Sequence, residues 1–384
     1  MSFLSLFFVF QATVALLAPA PQSPPLRTSS RRYANSYGTL FPSIEADLDY
    51  MERRIIQRVS EAVSHDETRS GGVRPLLEEL TSEQSRFPFR AVAVMLLGKA
   101  LDPTLKDKQV SVKHCLLAEI VEMMHTSQVI HETVLDFSDG VGEGNVFHRT
   151  YGPEIGNKVS VLAGDYLLAQ CSVELGNFGR VDIVETMGES LQRMVHGSLL
   201  RSRHFSEKGG SSTSSLPSFA SYQEQMTLRT CALLRDACGC AAALSGHDAE
   251  GPVARSLADF GYHLSMAYQA AKDIAVYDLD TSNSGGAFMA PGFRATLPVV
   301  LAANASPEAH ASLSNIFSSH SVPRTDLRAI VDRENGKDLA ITFANDCATK
   351  AHKCLLAIPA ISPEEHSSLE RLVKTVLDRT ICLS

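Results

Sequence analysis

The chain has 384 residues, of which 44% are hydrophobic and 20% are charged, and its formal net charge is −8 at pH 7. A chain of this length can bury a large core, in one big domain or in two small ones. The acidic balance and the lack of any long basic run argue against nucleic acid as a partner.

The first 44 residues differ in composition from the rest. An apolar run over residues 3–17 is too short for a membrane span and has no basic residue before it. Pro, Ser and Arg residues follow, and the first acidic residue is Glu45. We predict an organelle-targeting leader over residues 1–44, for a mitochondrion or a plastid, and a mature chain without a transmembrane segment. A disordered or wrongly assigned start is the alternative.

Helical periodicity dominates the sequence from Leu48 onward. Leu48, Met51, Ile55, Val59 and Val63 recur at steps of three and four, as on one face of a helix. We find no convincing strand, and the sequence predicts an all-α fold in which residues 45–384 form a single large helical bundle. The predicted helices cover residues 44–63, 90–101, 112–137, 158–175, 181–200, 222–244, 253–279, 296–303, 313–318, 327–331, 336–357 and 363–376. Residues 140–144, 209–218 and 281–294 are predicted loops.

The eight cysteines are scattered and form no CxxC pair. Cys238 and Cys240 are two residues apart and have no companion pair, so a zinc site built on cysteines is not expected. We interpret the cysteines as reduced thiols packed in helices.

The segment 122–136 reads EMMHTSQVIHETVLD and carries the first chemical motif. Glu132 and Asp136 are four residues apart, so that both carboxylates would project from one face of a helix. Carboxylate oxygens suit Mg²⁺, which is often held by one or two carboxylates together with substrate phosphates. Taken alone, such a pair is usually a solvated surface feature.

This segment resembles the first aspartate-rich region of trans-polyprenyl diphosphate synthases, the polyprenyl synthetase family, E-x-I-H-x-A-S-x-x-H-D-D-x-x-D. Residues 156–170, GNKVSVLAGDYLLAQ, are similar to the G-x-x-x-A-V-L-A-G-D-Y-L-L-A of that family. Residues 261–273, GYHLSMAYQAAKD, resemble its second aspartate-rich helix. The resemblance implies the helical fold of isoprenoid synthases. Further matching positions are Glu122, His125, Ser127, His131, Gln192, Met194, Gly197, Tyr222, Arg229, Thr230, Thr296, Leu297 and Pro298.

The acidic motifs depart from the family pattern. Thr133 replaces the second aspartate of the first motif, and Lys272 and Val276 replace two aspartates of the second. Where the family supplies six carboxylates for a trinuclear Mg²⁺ cluster that holds the allylic diphosphate, this chain keeps three. A metal cluster is hard to hold with half the ligands and an added ammonium nearby. The resemblance assigns these vestigial Mg²⁺ positions to Glu132, Asp136 and Asp273.

The basic residues that bind diphosphate in the family are also depleted. Residues 140–144 replace an R-R-G segment, and only Arg90 stands in place of a G-G-K-R-x-R-P segment. Diphosphate departure depends on such positive charge, so we assign no catalytic residue. The vestigial diphosphate-binding positions that the resemblance implies are Arg90, His125, Arg229, Thr230, Gln269 and Lys272.

This pattern resembles the non-catalytic second subunit of heteromeric decaprenyl or solanesyl diphosphate synthases. The resemblance implies a hetero-oligomer with a catalytic subunit, in the synthesis of the isoprenoid side chain of ubiquinone or plastoquinone. Family dimers pack through central helices, so the apolar helix 158–175 is a candidate interface.

Two alternatives stay open. The first is a divergent but active synthase that condenses isopentenyl diphosphate with an allylic diphosphate. In it, Glu132 and Asp136 would hold one Mg²⁺ and Lys272 would contact the diphosphate directly. Mg²⁺ is expected as a cofactor only if such activity is retained. The second is a helical carboxylate-bridged metal protein, because Glu122-x-x-His125 is half of a di-iron motif, although no second E-x-x-H is present.

Overall fold

A computed structural model describes residues 40–63, 88–102, 110–132, 134, 152–205, 216–278, 296–318, 324–358 and 361–381. Every secondary-structure element in these ranges is a helix, which confirms the all-α prediction. The chain divides into two compact units, residues 1–185 and 186–384. The assignment of residues 45–384 to one domain stays a prediction. Among the described helices, none is both long and apolar enough to cross a bilayer.

The first unit is organised around one central helix. After a 3-10 turn at Pro42–Ile44 come α1 (Glu45–Val63), α2 (Phe89–Leu101), α3 (Val112–Glu132) and α4 (Pro153–Asn177). The central helix is α3, since α1, α2 and α4 all pack against it. Every residue of α2 is buried, as its continuous apolar sequence predicts.

An ion-pair network joins α1 to α3 and α4. The guanidinium Nε atoms of Arg54 and Arg58 lie 2.8 Å from Oε2 and Oε1 of Glu119, respectively. Arg58 also pairs with Glu174 on α4. Burial raises the pKa of the Glu119 carboxyl, and the two guanidiniums act against that rise. Paired in this way, a buried carboxylate can stay charged and fix the position of α1 on α3.

The second unit is organised around one long central helix. The division falls inside α5 (Val181–Phe205), after which α6 (Phe219–Met226), a π-helical segment (Thr227–Cys231) and α7 (Ala232–Leu244) follow one another without a break. The remaining helices are α8 (Pro252–Asp278), α9 (Leu297–Ala305), α10 (Pro307–Ser318), α11 (Arg324–Arg333), α12 (Gly336–Leu356) and α13 (Pro363–Ile381). The central helix is α8, since α7, α9, α12 and α13 all pack against it.

Two predicted helices differ from the structure in an informative way. The predicted helix 222–244 contains the π-helical segment, which a periodicity of 3.6 residues does not reveal. The predicted helix 112–137 ends at Glu132, and the Val134 N–H donates to the His131 carbonyl at 3.3 Å in a tighter i→i+3 pattern. The β-branched pair Thr133 and Val134 has low helix propensity. The predicted loops 140–144 and 281–294, and residues 209–215 of the third, lie outside the described residues.

We predict that Gly261→Ala destabilises the protein, because α8 and α7 approach too closely for a methyl group. A Cβ atom at Gly261 would lie 2.5 Å from the Leu234 carbonyl oxygen and 2.9 Å from the Cys238 Sγ. Relief of this overlap requires the backbone of α7 or α8 to move. The free energy of unfolding, measured in a denaturant titration, should therefore fall by about 1–3 kcal/mol.

Gly239→Ala on α7 is the matched control. A Cβ atom there meets its nearest neighbours at 3.9 Å. Alanine is the better helix former, so this change should be neutral or stabilising by up to about 1 kcal/mol. Equal changes in the free energy of unfolding for the two substitutions would show that the close contact at Gly261 does not limit how near α7 and α8 can pack.

Candidate functional site

The first acidic motif lies at the end of α3. Glu132 is the last residue of the helix and its side chain is exposed. A shared helix face for Glu132 and Asp136 requires α3 to continue through residue 136, and Val134 is already outside the helix. The predicted extension of this helix to residue 137 is therefore wrong. Asp136 itself lies outside the described residues, so its pairing with Glu132 stays a prediction.

Two segments that resemble the family motifs meet where α3 packs on α4. Ser127 Oγ donates to the Gly164 carbonyl at 2.9 Å. The His131 Nε2 lies 3.2 Å from the Val161 carbonyl oxygen and 3.5 Å from Asp165 Oδ1. A Cβ atom at Gly164 would overlap the His131 imidazole. Glycine at this position therefore makes the space that the histidine ring fills.

Glu122 has a structural partner on α2. Its Oε1 accepts a hydrogen bond from the Ala91 N–H at 3.1 Å, in the first turn of α2. The first turn of a helix leaves N–H groups without helical partners, and Glu122 satisfies one of them from within the core. The neighbouring Arg90 is buried, with its guanidinium 4.5 Å from the centre of the Phe89 ring. His125, one turn after Glu122, is half-buried. The contact gives Glu122 a role other than metal binding, which weakens the di-iron alternative.

Arg229 and Thr230 lie in the π-helical segment of the second unit. Isolated π-helical turns inside α-helices are frequent at functional sites. Gly197 of α5 packs directly on this turn, since a Cβ atom there would lie 2.5 Å from the Arg229 nitrogen and 2.8 Å from its Cα. Arg229 is half-buried and Thr230 is buried. The structure thus brings together three positions that the sequence assigned separately to the family.

Asp273 lies at the junction of α6, α8 and α9. Its Oδ1 accepts a hydrogen bond from Gln269 Nε2 at 2.7 Å. Its Oδ2 accepts from Tyr222 Oη at 2.8 Å and from the Leu297 N–H at 2.8 Å. Asp273 is buried, and the Thr296 side chain makes no capping hydrogen bond to α9. Asp273 therefore caps α9 from a neighbouring helix.

The electrostatics of this junction follow from burial. Burial raises the pKa of Asp273, while the hydrogen bonds from Tyr222, Leu297 and Gln269 act against that rise. Burial first, and then the charge of Asp273, raise the pKa of the Tyr222 hydroxyl. The tyrosine consequently stays protonated and donates. Lys272, the next residue, is exposed.

Among the residues assigned to Mg²⁺, Asp273 is already engaged within the protein. Three protein donors occupy three of the roughly four lone-pair positions of its carboxylate, so a cation there would compete with them. Asp136 lies outside the described residues. In the part of the chain that the structure describes, Glu132 is the one assigned carboxylate that is exposed. The sequence had matched Tyr222 to the family, but no sequence pattern indicated that it donates to Asp273.

Comparison with known proteins gives a consistent picture. A sequence model of the family described as Polyprenyl synthetase matches residues 78–333. The decaprenyl-diphosphate synthase of Dictyostelium discoideum is 28% identical over 93% of this chain and 74% of its own length. The mitochondrial solanesyl-diphosphate synthase 1 of Oryza sativa subsp. japonica is 26% identical over 76% of this chain and 68% of its own length.

Solved structures with the same fold cover most of the chain. A decaprenyl diphosphate synthase from Rhodobacter capsulatus superposes with a TM-score of 0.70, at 19% identity, over 90% of this chain and 99% of that one. A polyprenyl synthase from Caulobacter crescentus CB15, complexed with calcium and isoprenyl diphosphate, gives 0.67 at 23% identity, over 91% and 99%. At these identities the structures establish the fold alone.

We predict that Asp273→Ala destabilises the protein. Alanine offers no acceptor, which leaves the buried Tyr222 hydroxyl and the Leu297 N–H unsatisfied, each at a cost of about 1–3 kcal/mol. Lys272→Ala, at the adjacent exposed position, should stay within about 0.5 kcal/mol of the wild type. The measurement is the free energy of unfolding of the metal-free protein. If Asp273→Ala unfolds like the wild type in the absence of metal, the capping role is refuted.

Proposed function

Because the chain belongs to the polyprenyl synthetase family, we propose that it is the non-catalytic subunit of a heteromeric long-chain polyprenyl diphosphate synthase. The observation that carries the proposal is the state of Asp273, whose two carboxylate oxygens already accept three protein hydrogen bonds. The residue at a metal-ligand position of the family is here part of the protein's internal structure.

The chemistry of the reaction explains why this matters. An allylic diphosphate leaves when positive charge neutralises its oxygens, and Mg²⁺ would supply that charge when bound. This chain keeps three of six family carboxylates, and one of the three is engaged in capping α9. Lys272 adds a single exposed ammonium at the second motif. One ammonium is a weak replacement for divalent ions that bridge a diphosphate.

The names of the relatives support the product class and the compartment. Decaprenyl- and solanesyl-diphosphate synthases are long-chain enzymes by name, and the rice relative carries the word mitochondrial. We place this chain in the synthesis of the isoprenoid side chain of a quinone, within an organelle. The composition of residues 1–44 supports the organelle, and residues 1–39 lie outside the described residues.

A candidate surface for the catalytic partner lies on α4. Ile155, Leu162 and Val173 are exposed by 53%, 68% and 43%. They are separated by 7 and 11 residues, about two and three helical turns, so they share one face of the helix. The opposite face of α4 packs on α1 and α3. An apolar stripe that a lone soluble protein would expose to water is typical of a subunit interface.

One observation favours the alternative of a divergent active synthase. Glu132 and Lys272 are both exposed, so a carboxylate and an ammonium are accessible at the two motif positions. One carboxylate together with substrate phosphates can hold a single Mg²⁺. In this alternative the protein would turn over slowly without a partner.

The decisive experiment is an assay of the purified chain alone and mixed with a catalytic homologue from the same genome that keeps both aspartate-rich motifs. The substrates are isopentenyl diphosphate and farnesyl or geranylgeranyl diphosphate with Mg²⁺, and the products are resolved by chain length. We expect no long-chain product from this chain alone, and a gain in product with co-elution on mixing.

Glu132→Ala provides the internal control of that assay. The mixture should keep nearly all of its activity, because this chain supplies no essential metal ligand. Product from the wild-type chain alone that is lost in Glu132→Ala would establish the active synthase instead.

Leu162→Glu tests the interface on its own. A charge in the middle of the apolar stripe should weaken the complex by on the order of 10-fold or more, as measured by sedimentation of mixtures. Folding should be unaffected because the side chain is exposed. Val112→Glu, which changes an exposed apolar residue in the first turn of α3, is the matched control and should bind like the wild type. Equal binding by both variants would exclude α4 as the interface.

A further inference from the structure

Three metal-ligating side chains converge where α12 packs against α13. His352 lies on α12, and His366 and Glu370 lie one turn apart on α13. The Nδ1 atoms of both histidines are 3.2 Å from the same carboxylate oxygen, Glu370 Oε1. The ligand atoms of all three residues lie within 4.8 Å of one another. The two imidazoles meet edge to face, with ring centres 5.4 Å apart.

The two distances to Glu370 are close to those between neighbouring ligands of a tetrahedral zinc ion. With Zn–N and Zn–O bonds of about 2.0–2.2 Å, adjacent ligand atoms of a tetrahedron are separated by roughly 3.3–3.6 Å. The two nitrogen–oxygen distances of 3.2 Å are close to that separation. Two histidines and one glutamate are also a zinc ligand set that leaves the fourth position for water.

The cluster is accessible and stands apart from the family motifs. The side chains of His352, His366 and Glu370 are exposed by 38%, 18% and 45%, so that an ion and its water can enter. All three residues follow the segment 78–333 that matches the family model. Imidazole nitrogens suit zinc, whereas Mg²⁺ prefers oxygen ligands. The site would therefore bind a different metal from the one used by polyprenyl synthases.

We propose that His352, His366 and Glu370 bind one Zn²⁺ ion with water as the fourth ligand. The ion joins α12 to α13, and both of these helices pack on α8, which carries Asp273. Zinc then stabilises the helical core of the second unit. The competing explanation is that each imidazole merely donates an N–H to the shared carboxylate of Glu370. The proposal does not rest on the proposed function, and its test uses no assay of prenyl transfer.

The test begins with the chelator-treated full-length chain, titrated with Zn²⁺ against a chromogenic chelator. His352→Ala, His366→Ala and Glu370→Gln should each weaken zinc binding by about 10-fold or more, since changes that only touch a ligand's hydrogen-bond partners already cost that much. His310→Ala, which removes an exposed histidine of α10, is the control and should bind like the wild type. Millimolar Mg²⁺ should not compete.

Two further readouts separate a site from simple hydrogen bonding. Co²⁺ in place of Zn²⁺ should give the intense visible absorption of tetrahedral coordination in the wild type and the control, but not in the three variants. Zn²⁺ should raise the unfolding temperature of the wild type and the control alone. Circular dichroism checks that each variant is folded. Wild-type affinity no better than that of His366→Ala, or a weak octahedral Co²⁺ spectrum, would overturn the proposal.

Discussion

A carboxylate buried in a helical protein is costly unless donors surround it, and Asp273 meets this constraint with three. The donors come from α6, α8 and the first turn of α9, so that one side chain fixes where three helices meet. An aspartate that serves a metal needs open lone pairs and some access for the ion. Asp273 offers little of either, because three donors already occupy its oxygens and its side chain is buried.

The acidic residues of α3 show the same principle along a single helix. Glu119 is buried and pairs with both Arg54 and Arg58. Glu122, also buried, receives the Ala91 N–H at the start of α2. Glu132, at the end of the helix, is exposed. Identical carboxylates thus have three roles, and position within the packed helix determines which one each has. A motif that counts acidic residues does not distinguish them.

Sequence reasoning was strongest where a pattern is local. The helix at residues 90–101 was predicted almost to the residue, because an unbroken apolar stretch of good helix formers has few other solutions. It failed at the end of α3 and at the π-helical segment, where single hydrogen bonds rather than periodicity set the geometry. The hydrogen-bond partners of Asp273 could not be predicted from the sequence, since Tyr222 and Leu297 are distant from it along the chain. The same holds for His352 and His366, which become neighbours only when α12 packs on α13.

The exposed stripe on α4 and the hydrogen bonds of Asp273 support different parts of the proposed function. An apolar stripe favours association with a second subunit, but it does not say which of the two subunits performs the reaction. A catalytic homodimer would need such a surface as much as a supporting subunit does. The engagement of Asp273 is independent of any partner, because all its donors belong to the same unit of the same chain. The proposed assignment of catalysis to another subunit therefore depends on hydrogen bonds in the core. The proposed interface on α4 concerns only how that subunit would be held.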